Sequence, residues 1–282
     1  MVRTEESQIK SKQPGTGRAT VTAAVFTYNN SGPLLERVLE AVRWADEVIV
    51  VDMESKDDTV RLCSRYTDKI LTHNENENIN ANFNFGYQQA TCDYVLHISS
   101  DFIISPELKR EILEALSSHE RSDIYEMGIT NYYFGKPVRL SVWEKTRLPL
   151  LFKKGTVVYP THRIETWPTL LSQNKRFLKN RIEHYTVEHI SELVRKYNRY
   201  SDIEVRNSPN EIPLIRNPLF LGFQALGCAL YNYFIRGGFR YGMHGFIVSC
   251  LQGYYYFLKH AKRWERYWME QQGRPWDSNI QT

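Results

Sequence analysis

The apolar positions of the first hundred residues fall into short unbroken runs, separated by turns and by helix-spaced stretches. Val21 to Thr27 (VTAAVFT) is one such run, and Tyr28-Asn29-Asn30-Ser31-Gly32-Pro33 ends it with turn chemistry. Leu34, Leu35, Val38, Leu39 and Val42 then recur at helical spacing, predicting an amphipathic helix to about Trp44. Glu47 to Val51 predicts a second strand that stops at Asp52, and Asp57-Asp58-Thr59 can cap a helix to about Tyr66. Lys69 to Thr72 reads as a third, short strand. An Asn-rich stretch leads into a helix near Asn82 to Ala90, and Tyr94 to Ile98 is a fourth strand. Continuous runs of this kind, alternating with helices, call for a parallel sheet covered on both faces. Ser105-Pro106-Glu107 opens the next helix with an N-cap, a proline and an early acid.

From Asp123 to about Tyr159 the pattern turns to strands and loops, and helical spacing returns at Ile190, Leu193, Val194 and Tyr197. Residues 206 to 218 hold three prolines and read as a linker. Beyond it, 217 to 235 is 19 residues without a charge and 241 to 258 another 18, both near membrane-spanning length. Gln224, Asn232 and His244 interrupt these runs. Arg236 and Arg240 occupy the connection, while Arg216, Lys259, Lys262 and Arg263 flank the outer ends. A spanning hairpin would then carry positive charge on both sides, against the positive-inside tendency. Interfacial or re-entrant helices, soluble packed helices and true spans all remain open. The division expected is a flexible tail over 1–18, an α/β domain over 19–205 and a helical extension over 206–282.

Charge sharpens one region. The net charge is only +4, yet between Lys136 and Tyr200 there are 14 Lys/Arg against 5 Asp/Glu. That excess is either a solvated basic face or a surface for phosphates, as in a nucleotide diphosphate or an anionic lipid. No nucleic-acid-binding motif accompanies it, so nucleic acid is not expected as a partner. The four cysteines are dispersed without metal-ligand spacing, which fits a reducing cytoplasm, and the polar N-terminus lacks a signal-peptide core.

In a parallel sheet, ligands sit beyond the carboxyl ends of the strands. The residues there are Thr27-Tyr28-Asn29, Asp52 and Ser99-Ser100-Asp101. Taken with "EVIVVDMESKDDT", in which Asp52, Ser55, Asp58 and Thr59 match a Val-Asp … Ser-x-Asp-x-Thr motif, they resemble the family 2 glycosyltransferases. The later "LLFKKG", "EHY" at 183 to 185, "LVRKYNRY" and "YGMHGF…YYYFLKHAKRWE" are more specifically similar to the lipopolysaccharide-core glucosyltransferase branch (WaaE/KdtX-like).

The resemblance implies a GT-A fold: a Rossmann-like, mixed but mainly parallel sheet flanked by helices, here with a membrane-associating helical extension. It implies inverting transfer of a sugar from a nucleotide-sugar donor to a hydroxyl of a glycan or lipid-linked acceptor in envelope polysaccharide synthesis. The enzyme would be cytoplasmic, peripheral on the inner face of the cytoplasmic membrane. Thr27, Tyr28, Asn29, Asp52 and Asn84 would line the nucleoside pocket. Asp101 would be the last acid of the Asp-x-Asp motif, helping to hold Mg²⁺ or Mn²⁺ against the donor phosphates. Ser99 replaces the first acid, and Phe102 stands where the branch often has Glu; Ser99 and Ser100 would bond the donor as hydroxyls. Lys153, Lys154 or Arg163 could share in neutralising phosphate. Glu165 is the candidate base for the acceptor hydroxyl, and His184 supports phosphate or the floor of the site. The rival outcome is a non-catalytic nucleotide- or glycan-binding homologue that lost turnover with the first acid.

Overall fold

The computed structural model describes residues 17–75, 79–140, 146–161, 167–207 and 218–276. Its centre is Val21–Thr27 (β1), buried at every position. A strand covered on both faces has no solvent side on which to place polar residues, hence the unbroken apolar run. It pairs in parallel with Glu47–Asp52 (β2) on one side and Tyr94–Ser99 (β4) on the other. Ile70–Thr72 (β3) extends the parallel group beyond β2.

The connections are Pro33–Val42 (α1), Thr59–Cys63 (α2) and Ile79–Gln89 (α3). Helix α1 starts on Pro33 and buries Leu35, Val38, Leu39 and Val42. Helix α2 stops three residues short of Tyr66. Its end tightens into bonds spanning three residues, Arg65 N to Leu62 O and Tyr66 N to Cys63 O at 2.9 Å, which use up the last carbonyls.

After β4 the chain turns at Ser100-Asp101 into the two-residue strand Phe102–Ile103 (β5) and then Pro106–Ser117 (α4), capped by the Ser105 hydroxyl. The second half supplies Ile124–Tyr133 (β6), Lys136–Pro137 (β7), Arg147–Lys153 (β8), Val157–Val158 (β9), Thr169–Leu170 (β10), Lys175–Phe177 (β11) and Ile182–Val187 (β12). Among the described residues the ten-stranded sheet runs β3-β2-β1-β4-β8-β6-β12-β5, with β7 and β11 also on β6; β9 and β10 form a separate hairpin. β8 is antiparallel to both β4 and β6, whereas β12 runs parallel to β6 and antiparallel to β5. The sheet is therefore mixed and mainly parallel. One core packs α1, α2 and α4 on one face, around Leu39, Leu96, Ile112 and Met127; the other packs α3 through Tyr87 against Phe26, Ile49 and Phe152. Gly86 of α3 sits so close to the sheet that a Cβ there would lie 2.8 Å from the Phe26 ring and 2.9 Å from Val51.

Ile190–Asn207 (α5), Pro218–Leu230 (α6), a π-helical turn Tyr231–Ile235 and Gly242–Gln271 (α7) complete the chain. The boundary expected at 205/206 falls in the last turn of α5. That helix is a seam: it follows directly from β12 and binds α7 through Lys262–Asp202 at 2.7 Å and Lys259–Glu204 at 3.1 Å. A third core of Tyr133, Val138, Leu140, Val187, Leu193 and Val248 joins the extension to the sheet. No described helix is long and apolar enough to cross a membrane.

The amino ends of β1 and β2 depend on one buried carboxylate. Glu47 accepts from the Thr22 hydroxyl, the Lys69 ammonium, Thr91 N at 2.8 Å and the Thr91 hydroxyl at 2.9 Å. Burial alone would raise its pKa; the hydrogen bonds from Lys69, Thr22 and Thr91 outweigh that and hold it at about 2. Because the folded value lies below the ordinary 4.5, this stability is fully present above that pH and is lost as the pH falls towards 2. Glu47→Gln should cost about 2 kcal/mol at neutral pH and much less near pH 3. Urea denaturation at both pH values measures it, and an equal loss at both would show that the charge contributes nothing.

Candidate active site

Strand register brings the three polar clusters together. Thr27 pairs with Asp52 and Phe26 with Ser99, and two further bonds carry the alignment into the loops: Met53 N to Thr27 O and Ser100 N to Phe26 O, both 3.0 Å. Thr27 and Asp52 are buried. Asp52 Oδ2 accepts from Ser55 N at 3.0 Å, but Asp52 Oδ1 and Thr27 Oγ1 have no protein partner. Each such buried, unsatisfied group costs about 1–3 kcal/mol. A ligand that hydrogen-bonds both atoms would offset that cost.

The loop after β1 is built on the loop after β2. Asn29 adopts φ 45°, a left-handed conformation that asparagine tolerates better than most residues. Its N–H donates to Ser55 Oγ at 2.8 Å, and its Oδ1 accepts from Lys56 N at 2.7 Å. Asn30 N donates to Thr59 Oγ1 at 2.8 Å, and Asn30 Nδ2 reaches Ser100 O at 3.1 Å. The acid in this network is Asp57, which is also the acid that Ser-x-Asp-x-Thr spacing places two residues after Ser55, and it corrects the assignment of Asp58. Asp57 accepts from Ser31 N at 3.2 Å and Thr59 N at 3.0 Å, whereas Asp58 faces solvent and pairs with Arg61. Burial would raise the Asp57 pKa, but bonds from Thr59 and Ser31 hold it below the usual carboxylate range. Tyr28 is the exposed member of the cluster, 48% accessible, and offers an aromatic face.

Asp101 sits in the turn between β4 and β5. Its carbonyl accepts from Tyr185 N at 2.9 Å, and the pairing of Phe102 with His184 sets the imidazole beside its carboxylate. His184 Nε2 lies 3.1 Å from Asp101 Oδ2, while His184 Nδ1 lies 2.7 Å from Asn131 Oδ1. Asn131 is buried, and the Phe102 ring packs edge-on against the imidazole, with centroids 5.1 Å apart. With Nδ1–H donating to Asn131, the Nε2 lone pair faces a carboxylate oxygen. Two acceptors that close require a cation shared between them, either a proton or a metal ion. Burial would raise the Asp101 pKa; His184 and the Lys196 ammonium outweigh it and hold Asp101 below the usual range.

Asp101 and His184 offer a divalent cation two ligands. Among the described residues no set of three His, Cys, Asp or Glu is placed to hold one alone, so phosphate oxygens of a donor would have to complete the shell around Asp101 and His184. The nitrogen ligand suits Mn²⁺ better than Mg²⁺, which prefers oxygen. Ser99 stands apart from this pair, its hydroxyl 3.5 Å from His97 Nε2. His97 is buried against Phe26 and bonded to the Tyr87 hydroxyl at 2.7 Å, and burial pushes its pKa down to about 3.

Several expectations shift. Asn84 spends its amide on backbone, accepting from Tyr159 N at 2.9 Å and donating to Tyr159 O at 2.7 Å. One turn earlier, Asn80 donates to Pro160 O at 2.8 Å. The two asparagines clamp the chain just before residues 162–166. Glu165 and Arg163 lie outside the described residues, and the described chain before them runs through this clamp. Lys153 pairs with Tyr94 at the amino end of β4, far along the strand from Asp101, and Lys154 bonds Ala90 O. The cation near Asp101 is instead Lys196, inside the "LVRKYNRY" stretch, where helical spacing gave no hint of a partner on β4. His97 and Asn131 were likewise illegible, because each reads as one polar residue within a strand. A cleft of about 340 Å³, lined by Phe134, Glu188, His189, Met243 and His244, opens where β12 leaves the sheet.

The chain is similar to several known proteins. An uncharacterized glycosyltransferase of Rickettsia prowazekii (strain Madrid E) is 27% identical over 254 residues, covering 86% of each chain. One from Rickettsia felis is 25% identical over 263 residues, covering 86% of this chain and 88% of its own. Among solved structures, mannosyltransferase PcManGT from Pyrobaculum calidifontis, in complex with GDP-Man and Mn²⁺, superposes with TM-score 0.49 at 16% identity, covering 88% of both chains. S. aureus TarS 1-349 does so with TM-score 0.47 at 13% identity, covering 92% of this chain and 93% of its own. The sequence profile of Glycosyl transferase family 2 matches residues 22–170, from β1 through β10 and across the Asp52 and Asp101 turns. On that match the chain belongs to glycosyltransferase family 2, and it is a glycosyltransferase.

Proposed function

We propose that the enzyme is an inverting transferase that moves a hexosyl group from a nucleotide-sugar donor to a hydroxyl of a glycan or lipid-linked acceptor. The proposed setting is cell-envelope polysaccharide synthesis, in the lipopolysaccharide-core glucosyltransferase-like branch that the later motifs resemble. The observation that carries the donor reading is the placement of Asp101 and His184, 3.1 Å apart, just past β4, with the unpartnered Thr27 Oγ1 at the end of the neighbouring β1 and Asp52 Oδ1 at the end of β2 beyond it. The first pair suits a diphosphate with its counter-ion, and the second suits the hydrogen-bonding edge of a nucleoside.

In this reading Asp52 accepts a hydrogen bond from the base or ribose, the Thr27 hydroxyl supplies a second bond, and the Tyr28 ring covers the base. Ser99 and Ser100 meet the ribose as hydroxyls. A divalent ion held by Asp101 and His184 would supply the positive charge that stabilises the departing nucleoside diphosphate. Lys196 adds fixed positive charge on the same side. Asn131 holds the His184 ring and its tautomer. Glu165, on the segment tethered by Asn80 and Asn84, takes the acceptor proton as that hydroxyl attacks from the face opposite the leaving group. The cleft beside Glu188 and His189 gives the acceptor a way in.

Calorimetry with UDP-, GDP- and dTDP-sugars, with and without Mn²⁺, tests the donor half. One nucleotide class should bind, and Asp101→Asn should lower kcat/KM by roughly a hundredfold or more. Asn131→Ala should weaken Mn²⁺ by about tenfold while the fold survives. If no sugar nucleotide binds the folded protein, the donor reading is wrong. Glu165→Gln should lower kcat by about 10²–10⁴ with donor affinity unchanged. An unaffected kcat would move the base elsewhere.

A further inference from the structure

Helices α6 and α7 are packed inside out. Their contact uses small and polar residues: Gly253 lies so near α6 that a Cβ would come within 2.5 Å of Ala225 O and 3.1 Å of the Ala229 side chain. Asn232 and Ser249 are buried, at 5% and 1% exposure, and both bond backbone carbonyls of their own helical segment. The large apolar side chains point the other way. Phe223 is 71% exposed, Ile235 73% and Met243 67%, and Leu226, Phe234 and Phe246 are also exposed. Along α6 the outward positions 219, 223, 226 and 230 follow helical spacing; along α7 so do 243, 246, 250, 254 and 257. Scattered exposed apolar residues need no explanation, but two adjoining stripes do. A helix pair that packs on small residues and turns its large ones outward suits a lipid surround.

Charge identifies the surface it meets. Residues 212–264 contain no Asp or Glu, and because Lys259 and Lys262 pair with Glu204 and Asp202 of α5, the charge at this face lies in the connection, at Arg236 and Arg240. Exposed Arg240 lies in the connection between the two stripes. A second copy of this face would bring like charges together, whereas an anionic bilayer supplies the opposite sign. Because no described helix can cross a membrane, the pair would lie in the interface.

We propose that the α6–α7 face docks the enzyme onto an anionic phospholipid surface, as on the inner face of the cytoplasmic membrane, with Phe223, Leu226, Phe234, Ile235, Met243 and Phe246 entering the headgroup–acyl boundary. Met243 also lines the cleft beside Glu188 and His189, so docking sets the mouth of that cleft at headgroup level. A lipid-linked acceptor would then enter without leaving its bilayer. The docking itself does not depend on the identity of the donor.

The test is flotation of the full chain, without sugar nucleotide, on phosphatidylcholine vesicles with and without roughly a third phosphatidylglycerol. The wild type should float with the mixed vesicles and poorly with phosphatidylcholine alone. Phe223→Ser with Ile235→Ser, and separately Arg236→Glu with Arg240→Glu, should each weaken binding about tenfold or more, with thermal midpoint and donor binding unchanged. Failure to float on either vesicle, or equal binding to both, overturns the proposal. So does a solution dimer, seen by light scattering, that Phe223→Ser with Ile235→Ser dissociates.

Discussion

Two backbone pairs, Ile103 with Glu183 and Phe102 with His184, hold the site together. Where β4 and β8 already join the two halves of the sheet, these pairs tie the turn after β4 to β12, a strand assembled 80 residues later in the chain. Closing a loop of that length costs about 4 kcal/mol in chain entropy, and two residues of ladder cannot offset it alone. Burial of Phe102, Ile103 and Ile182 adds the apolar contribution. Where the lipopolysaccharide-core branch often has Glu, an apolar Phe102 both seals this junction and braces the imidazole. A carboxylate there would be desolvated against the core.

A serine at 99 suits its local electrostatic setting. A carboxylate at 99 would stand beside His97, which burial keeps neutral. A hydroxyl asks nothing of that imidazole. On the Asp101 side, His184 sets a ring nitrogen beside the one carboxylate, Asn131 orients that ring, and the Lys196 ammonium brings positive charge that favours phosphate rather than a cation. A single motif acid thus need not mean a single ligand, which weakens the reading of the protein as a non-catalytic homologue.

The nucleotide half was legible because each of its strands is covered on both faces and so writes itself as an apolar run ending in polar residues. Thr27, Asp52 and Asp101 followed from that pattern alone. What sequence could not supply was partnership. Asp57 and Asp58 are adjacent acids before Thr59; the Ser-x-Asp-x-Thr spacing counted from Ser55 selects Asp57, and the turn geometry shows why, since it is the one that bonds Ser31 and Thr59. Asn84 lies in a polar stretch that suits a nucleotide contact equally well, yet its amide matches the Tyr159 backbone atom for atom. His184 meets Asp101 across 83 residues, and no local periodicity encodes a contact of that range.

Gly86 touches none of the residues assigned to donor or acceptor, yet it sets a dimension of the site. With no side chain between helix and sheet, α3 rests at its minimum standoff from Phe26, the residue just before Thr27. The same helix carries Asn80 and Asn84, which fix where the segment bearing Glu165 departs. One glycine therefore sets how closely α3, with its Asn80 and Asn84, approaches the carboxyl ends of β1 and β2. An alanine at 86 would set its Cβ against the Phe26 ring and Val51, lifting α3 from the sheet and carrying the Asn80 and Asn84 clamp away with it.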